Sequence, residues 1–253
     1  MFKDADLNVD GFKINGQLYW PEEMIPPYPA VIICHGVPSG NTDPSDPGYP
    51  LLAETMSREG FAVYIFRFQG TGTSGGNFDI LAWTHDLKAA IDYLWDLPEI
   101  DNDHISVVGF SAGATVAIYI SSQDKRVAAV VACACPADFS HITAPENSKL
   151  ALARFRKIGI IRDPDFPPSF EEWVNNFRKV NALNCVADIA PRPLLLLHAN
   201  LDPVVLVTSS QRLYEKAGEP KQIIILDGDE HRLRRNELAV TTIISWLQTH
   251  LKD

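Results

Sequence analysis

The segment VVGFSAGATVA, residues 107–117, places one serine between two glycines directly after an apolar run. The run over 104–109 predicts a buried strand, and residues 112–123 predict a helix. Glycine on either side of Ser111 relieves the crowding of a sharp turn, so we expect the hydroxyl to stand clear at the carboxyl end of the strand. Free amides at the start of the helix favour negative charge beside it. Ser111 is therefore the candidate nucleophile of an acyl-transfer site.

Outward from this turn, short apolar segments alternate with amphipathic segments along most of the chain. The alternation predicts buried strands at 30–35, 61–68, 104–109, 127–133, 193–198 and 221–226, and helices at 49–60, 80–97, 112–123, 207–217 and 236–250. Apolar strands that are separated by helices indicate a parallel sheet with both faces covered. We expect an α/β fold, with a mostly parallel eight-stranded sheet and helices on both faces.

Two parts of the chain depart from this alternation. Residues 7–20 alternate apolar and polar side chains around Asn15-Gly16, which predicts a β-hairpin that turns at this pair. Residues 136–190 contain a proline-rich stretch and an amphipathic helix, and we expect them to form a short helical, cap-like insertion. A length of 253 residues suits one domain with such an insertion, so residues 1–253 are expected to fold as a single domain.

A serine hydroxyl needs a general base, and the base needs an acid that orients it. His231 follows the last predicted strand in LDGDEHRL, and Asp202 follows the preceding strand in LLLLHANLDPVV. The order Ser111, Asp202, His231 is a known chain order for a catalytic triad on a parallel sheet. Asp138 also follows a strand and is an alternative to Asp202. His198 ends a strand, and we expect its side chain to be packed inside.

The segment CHGV, residues 34–37, leaves the first strand of the parallel sheet. Its glycine lets the backbone turn so that the amide of Val37 points toward Ser111, and the amide of Ala112 opens the following helix. We expect these two N–H groups to form an oxyanion hole, in which losing one donor can cost about 3 kcal/mol of transition-state stabilisation. His35 is expected to brace this loop rather than to react.

The charge of the chain limits its partners. It has 22 Lys and Arg residues against 32 Asp and Glu residues, a formal net charge of -10, which opposes binding to the phosphates of nucleic acids and anionic membranes. No apolar run approaches the roughly 20 residues of a membrane span, and the first residues lack the layout of a signal peptide. We expect a cytoplasmic protein that binds neither nucleic acid nor membrane.

The spacing of the cysteines matches neither a C-x-x-C redox motif nor a paired zinc site. The four residues are Cys34, Cys133, Cys135 and Cys185. We expect buried free thiols, because cysteine packs well as a small hydrophobic residue. The predicted chemistry requires no cofactor and no metal ion, and no cluster of residues has the spacing of metal ligands.

Five segments together resemble the α/β-hydrolase superfamily, and within it the chain is similar to single-domain dienelactone-hydrolase-like and feruloyl esterase-like serine hydrolases. The segments are CHG at 34–36, FRFQGTGTSGGNFD at 66–79, GFSAG at 109–113, PRPLLLLHANLDPVV at 191–205 and GDEHRL at 228–233. The resemblance implies that Gly70 to Gly76 form a tight loop beside the site. Arg67 stands where many relatives carry an acidic residue, and Ala199 where glycine is common, which weakens any transfer of the relatives' substrate preference.

These observations predict a serine hydrolase that cleaves carboxylic esters of small or medium acyl groups through an acyl-enzyme, with a small-molecule ester as its substrate. A peptidase or amidase with the same triad is one alternative, and a non-catalytic binding protein of the same fold is another. Self-association into a homo-oligomer is a further possibility.

Two groups of side chains bear on the substrate. The arginines beside His231 in HRLRR, residues 231–235, either attract an acidic substrate or form a solvated surface. Five aromatic residues of the insertion either line an apolar acyl pocket or form the insertion's own core. They are Phe155, Phe166, Phe170, Trp173 and Phe177.

Overall fold

An eight-stranded sheet organises the protein, which we describe from a computed structural model over residues 1–22, 24–40 and 46–251. The strands of the described residues are β1 (Phe2–Asp4), β2 (Leu7–Val9), β3 (Phe12–Ile14), β4 (Gly16–Tyr19), β5 (Tyr28–Cys34), β6 (Ala62–Phe66), β7 (Ile100–Phe110), β8 (Val127–Cys133), β9 (Leu194–Ala199) and β10 (Lys221–Leu226). Of these, β2 and β3 pair with each other in a separate hairpin. The order across the sheet is β1-β4-β6-β5-β7-β8-β9-β10. β4 pairs antiparallel with both of its neighbours, β1 and β6, and the other neighbouring strands of the described sheet are parallel, so the expected mostly parallel sheet is confirmed.

Helices cover both faces of this sheet. They are α1 (Gly48–Arg58), α2 (Ile80–Trp95), α3 (Ala112–Gln123), α4 (Ser140–Thr143), α5 (Pro145–Lys157), α6 (Phe170–Lys179), α7 (Ala182–Cys185), α8 (Thr208–Lys216) and α9 (Glu237–His250). Consecutive residues of β5 show why the parallel strands are apolar throughout. Val31 packs into one buried cluster with α1 and α9, whereas Ile32 packs into the other with α2 and α3. The largest difference from the predicted bounds is at β7, which begins at Ile100 rather than at residue 104.

The predicted hairpin at Asn15-Gly16 is wrong. The hairpin turns instead at Asp10-Gly11, where both residues have positive φ, 52° and 82°, as a two-residue hairpin turn requires. At Gly16 the chain leaves the hairpin and enters β4. A Cβ at Gly16 would overlap the hydroxyl group of Tyr64, so this glycine is needed for a close approach and not for a turn.

The predicted insertion, 136–190, contains α4 to α7 and a 3-10 turn at Val186–Ile189. Its aromatic side chains form a core with the main domain: Trp173 and Phe177 are each 1% exposed, with ring centroids 5.0 Å apart. The indole N–H of Trp173 donates to the Phe78 carbonyl at 3.1 Å. Phe155 is buried in the same cluster, and the two remaining aromatic residues pack against it partly buried. Phe155, Trp173 and Phe177 therefore belong to a core shared with the main domain, whereas the partly buried Phe170 also lines a surface cavity.

The four cysteines are free thiols. Three of them are buried as predicted, whereas Cys185 is only partly buried. Within the ranges that the structure describes, no helix is both long enough and apolar enough to span a bilayer.

Candidate active site

Ser111 lies in a sharp turn between β7 and α3. Its φ of 53° is in the left-handed region, which a residue with a side chain adopts at a cost. Its N–H donates to the last carbonyl of β8 at 2.8 Å, which helps to hold the turn. A Cβ at Gly109 would overlap Ala114, and a Cβ at Gly113 would overlap the carbonyl oxygen of His35. Both glycines are thus required for the close approach of α3 to the sheet.

The structure brings the three predicted residues together at the carboxyl ends of the strands. His231 follows β10, and its Nδ1 lies 2.7 Å from Oδ2 of Asp202, which follows β9. The other ring nitrogen, Nε2, lies 3.2 Å from Oγ of Ser111. The side chain of Asp202 is fully buried, whereas that of His231 is 19% exposed. This arrangement can move a proton from the hydroxyl to the imidazole.

Two backbone amides and two histidines surround the carboxylate of Asp202, although Nε2 of His198 lies closer to the Val205 carbonyl, at 2.8 Å. Oδ1 of Asp202 accepts the amides of Val204 and Val205 at 2.8 and 3.0 Å, and Oδ2 lies 3.4 Å from Nε2 of His198 as well as near His231. Burial alone would raise the pKa of Asp202, but hydrogen bonds from both histidines and both amides hold it well below the ordinary value. The prediction that His198 is packed inside is confirmed, because its side chain is fully buried.

The alternative acid, Asp138, is engaged elsewhere. One oxygen lies 2.9 Å from the guanidinium of Arg212, and the other accepts the amide of Ser140 at 2.9 Å. Its carboxylate therefore pairs with an arginine of α8 and with its own turn.

The two predicted oxyanion donors flank the serine. A Cβ at Gly36 would lie 2.8 Å from Cβ of Ser111, so the loop that carries Val37 runs directly against the nucleophile. Ala112 is the first residue of α3, where a backbone N–H has no acceptor within the helix. The loop that carries Val37 and the first turn of α3 thus both lie beside Ser111.

His35 braces this loop, as predicted. Its Nδ1 lies 2.7 Å from the carbonyl oxygen of Gly36, and its Nε2 lies 3.1 Å from the backbone N of Phe68. Burial lowers the pKa of His35 to about 4, so the ring is neutral at pH 7. The two contacts assign the proton to Nδ1, which donates to Gly36, while Nε2 accepts the Phe68 amide.

The glycine-rich segment forms the tight loop that the resemblance implies. The N–H of Gly70 donates to the carbonyl of Gly75 at 2.8 Å and closes the loop. Gly70 has a φ of 78°, and a Cβ there would overlap the carbonyl oxygen of Ile160 in the insertion. Thr71, within the loop, places Oγ1 3.2 Å from Nε2 of His35. The loop therefore lies beside the histidine that braces the site.

Sequence reasoning missed Asp86, which lies below this loop. It is fully buried on α2 and accepts two hydrogen bonds from Gln69, one from the amide at 2.8 Å and one from the side chain at 2.9 Å. Burial raises the pKa of Asp86 to about 7, against these hydrogen bonds, which lower it. Neither donor carries a charge that would offset the burial.

The opposite shifts at His35 and Asp86 predict how stability depends on pH. The folded-state pKa of His35, about 4, lies below its ordinary value of 6.5. The free energy of unfolding therefore decreases as pH falls from 6.5 to about 4. The folded-state pKa of Asp86, about 7, lies above its ordinary value of 3.8. The stability that the protonated carboxyl contributes is therefore lost as pH rises from 3.8 to about 7. In the wild type these two opposite effects on the free energy of unfolding largely cancel. When pH is lowered from 7.5 to 5, we expect the free energy of unfolding of Asp86→Asn to fall by about 2 to 3 kcal/mol more than that of the wild type, as measured by urea unfolding.

Asp92→Asn on the same helix is the control. Burial raises the pKa of Asp92, but Lys88 and Arg126 together bring it below 3.8, so it titrates outside this pH range. The control should keep the wild-type pH dependence. If the free energies of unfolding of Asp86→Asn and the wild type depended on pH in the same way, the raised pKa of Asp86 would be contradicted.

Arginines of the segment 231–235 are paired within the protein. The guanidinium groups of Arg232 and Arg234 both contact the carboxylate of Asp46, the former at 3.3 Å. Arg234 also lies over the ring of Tyr49, 5.0 Å from its centroid. Both arginines therefore pair with one carboxylate of the protein, which neither sequence interpretation included. Within residues 1–22, 24–40 and 46–251, no three His, Cys, Asp or Glu side chains are arranged to hold a metal ion.

A model of the alpha/beta hydrolase family matches residues 31–239 of the chain. The uncharacterized protein PA2218 of Pseudomonas aeruginosa is 25% identical, over 88% of this chain and 73% of that protein. Among solved structures, the alpha/beta hydrolase GrgF from Penicillium sp. sh18 is 22% identical, with a TM-score of 0.77 and 100% of both chains covered. An esterase of Pyrococcus furiosus is 25% identical, with a TM-score of 0.73, over 99% of this chain and 91% of that one.

Proposed function

Because this chain belongs to the alpha/beta hydrolase family, we propose that it is a serine hydrolase that cleaves carboxylic esters of small or medium acyl groups. One observation carries the proposal: the hydrogen-bonded line from Asp202 through His231 to Ser111, with distances of 2.7 and 3.2 Å. A nucleophile, a base and an orienting acid within hydrogen-bond reach are what acyl transfer requires. The similarity to an esterase of Pyrococcus furiosus supports an ester as the substrate.

In the first half of the proposed reaction, Ser111 Oγ attacks the ester carbonyl carbon while Nε2 of His231 takes the hydroxyl proton. Asp202 holds the proton on Nδ1 and stabilises the imidazolium that forms. The carbonyl oxygen becomes an oxyanion and accepts the amides of Val37 and Ala112. Collapse of this intermediate breaks the ester C–O bond, and His231 returns its proton to the departing alcohol. An acyl-enzyme on Ser111 is left.

In the second half, water attacks the acyl-enzyme and gives its proton to His231. The second tetrahedral intermediate collapses, Ser111 recovers the proton, and the carboxylic acid leaves. Two features of this chain favour the cycle. The lowered pKa of Asp202 keeps it ionised throughout, and the turn at Ser111 holds the hydroxyl at the start of α3, where the helix dipole favours the oxyanion.

The proposal is tested with a fluorophosphonate probe, which reacts with an activated serine. We expect one label per molecule, located on the Ser111 peptide by mass spectrometry, and no label in Ser111→Ala or in heat-denatured protein. A series of p-nitrophenyl esters of increasing acyl length should then be hydrolysed faster than aminoacyl p-nitroanilides.

Ser140→Ala is the matched control, because Ser140 follows the neighbouring strand but opens a separate helix, α4. It should be labelled like the wild type. Faster turnover of the anilides would change the assignment to an amidase. Absence of labelling in folded wild-type protein would contradict the proposal that the protein is a serine hydrolase.

A further inference from the structure

We propose that Arg162 of the insertion is a positioning residue for the oxyanion hole, because it fixes the glycine loop, residues 70–76, on which the orientation of the Gly36–Val37 peptide depends. The inference rests on the proposed function and extends it to a residue that touches neither the nucleophile nor its base.

The first step is the contact between Arg162 and the glycine loop. The guanidinium donates to three carbonyl oxygens of this loop: Gly70 at 3.0 Å, Gly72 at 2.7 Å and Ser74 at 2.9 Å. The Nε of the same side chain donates to Gly159 at 3.1 Å, which keeps the plane of the guanidinium in place. One planar group thus holds three carbonyl oxygens of a loop that glycine makes conformationally free.

The second step is the backbone of the insertion next to Arg162. The side-chain oxygen of Asn77 accepts the amides of Arg162 and Asp163, at 2.8 and 3.0 Å. One residue beyond Asn77, the N–H of Phe78 donates to the carbonyl of Ile160 at 2.8 Å. These contacts fix where the arginine stem begins, so its guanidinium reaches the loop from a defined position.

The third step leads from the loop to His35. Thr71 donates its hydroxyl proton to the carbonyl of Phe68 at 2.7 Å and places Oγ1 in contact with Nε2 of His35. The N–H of Phe68 donates to the same nitrogen at 3.1 Å. Thr71 lies within the loop, whereas Phe68 precedes it. A displacement of the loop therefore moves Thr71 and, through its hydrogen bond to the Phe68 carbonyl, shifts the segment whose amide holds Nε2 of His35.

The fourth step is the peptide unit between Gly36 and Val37. Nδ1–H of His35 donates to the carbonyl oxygen of Gly36 at 2.7 Å. A trans peptide is planar, and its C=O and N–H groups point in opposite directions. The hydrogen bond that fixes the Gly36 carbonyl consequently fixes the N–H of Val37, on the opposite side of the same plane, where the oxyanion of the proposed reaction forms.

Loss of Arg162 should therefore affect the transition state more than substrate binding. The carbonyl of an ester substrate gains its full charge only in the tetrahedral intermediate, so a misaligned Val37 amide lowers kcat with little effect on KM. We expect Arg162→Ala to lower kcat by about tenfold, a partial misplacement rather than the full loss of a donor. KM should stay within about twofold of the wild type.

Arg156→Ala is the matched control. Arg156 is also an exposed arginine of the insertion, but its guanidinium donates to Pro164 and Phe166, which belong to the insertion itself. Its removal leaves the Asn77 contacts that anchor Arg162 in place, so kcat should be unchanged. We expect added guanidinium ion to restore part of the kcat of Arg162→Ala and to have no effect on Arg156→Ala.

The measurements are kcat and KM for a p-nitrophenyl ester, with thermal unfolding to show that each variant is folded. Unchanged kcat in folded Arg162→Ala, or an equal loss in both arginine variants, would overturn the inference. If Arg162→Ala does not fold, Arg162→Lys replaces it, since lysine keeps the charge but cannot reach three carbonyls, and its kcat should fall at unchanged KM. Failure of the proposed function is recognised separately, because the wild type would then neither be labelled at Ser111 nor hydrolyse esters.

Discussion

Ser111→Ala, His231→Ala and the double variant are each expected to lower kcat for ester hydrolysis by a similar factor, on the order of 10⁶. The two side chains act as one unit, because Nε2 of His231 lies 3.2 Å from the hydroxyl that it must deprotonate. Removing either leaves the other without a partner, so removing both adds little. The measurement is kcat for a p-nitrophenyl ester in all three variants.

The activity that remains should come from the oxyanion hole and substrate binding alone, which the substitutions leave in place. Ser111→Gly serves as a control for stability, because glycine adopts the φ of 53° at this turn without strain. We expect it to be at least as stable as Ser111→Ala and equally inactive. A His231→Ala variant that keeps more than about one hundredth of the wild-type kcat would show that another group is the base.

The convergence of Ser111, Asp202 and His231 could be predicted because the position of each depends on local sequence and on the topology of a parallel sheet. Ser111 follows a buried strand and opens a helix, and Asp202 and His231 follow two later strands. The carboxyl ends of parallel strands meet at one edge of the sheet, so residues far apart in the chain converge there.

Other features could not be predicted because tertiary contacts decide between locally equivalent patterns. Asp10-Gly11 and Asn15-Gly16 both suit a two-residue hairpin turn. The chain turns at Asp10-Gly11, whereas at Gly16 it passes against the hydroxyl of Tyr64, a contact between distant residues that no local pattern identifies.

The same holds for the groups that support the site. Arg162 contacts a carbonyl 92 positions earlier in the chain, at Gly70, and no local pattern identifies such a contact. From the sequence, Asp86 is a typical polar residue on the exposed face of an amphipathic helix. Only the packed structure shows that its carboxylate is buried. The sequence therefore indicates the residues proposed to react, whereas the groups that support them become visible only in the packed structure.

Asp202→Asn is expected to lower kcat at neutral pH by on the order of 10⁴, through the wrong tautomer of His231. The amides of Val204 and Val205 both donate to Oδ1 of Asp202. In the asparagine variant they hold the carbonyl oxygen at this position, so the NH₂ group takes the place of Oδ2 and faces Nδ1 of His231. Nδ1 must then accept, which leaves the proton on Nε2.

A proton on Nε2 faces the serine hydroxyl, so the imidazole can no longer take the hydroxyl proton. The variant should keep its fold, because asparagine has the same shape and retains the two amide contacts. Asp138→Asn is the matched control for the alternative acid: it removes the charge that pairs with Arg212 and should leave kcat within about twofold. The pair of variants separates the two carboxylates, since a large loss in Asp138→Asn with normal turnover in Asp202→Asn would assign the acid to Asp138.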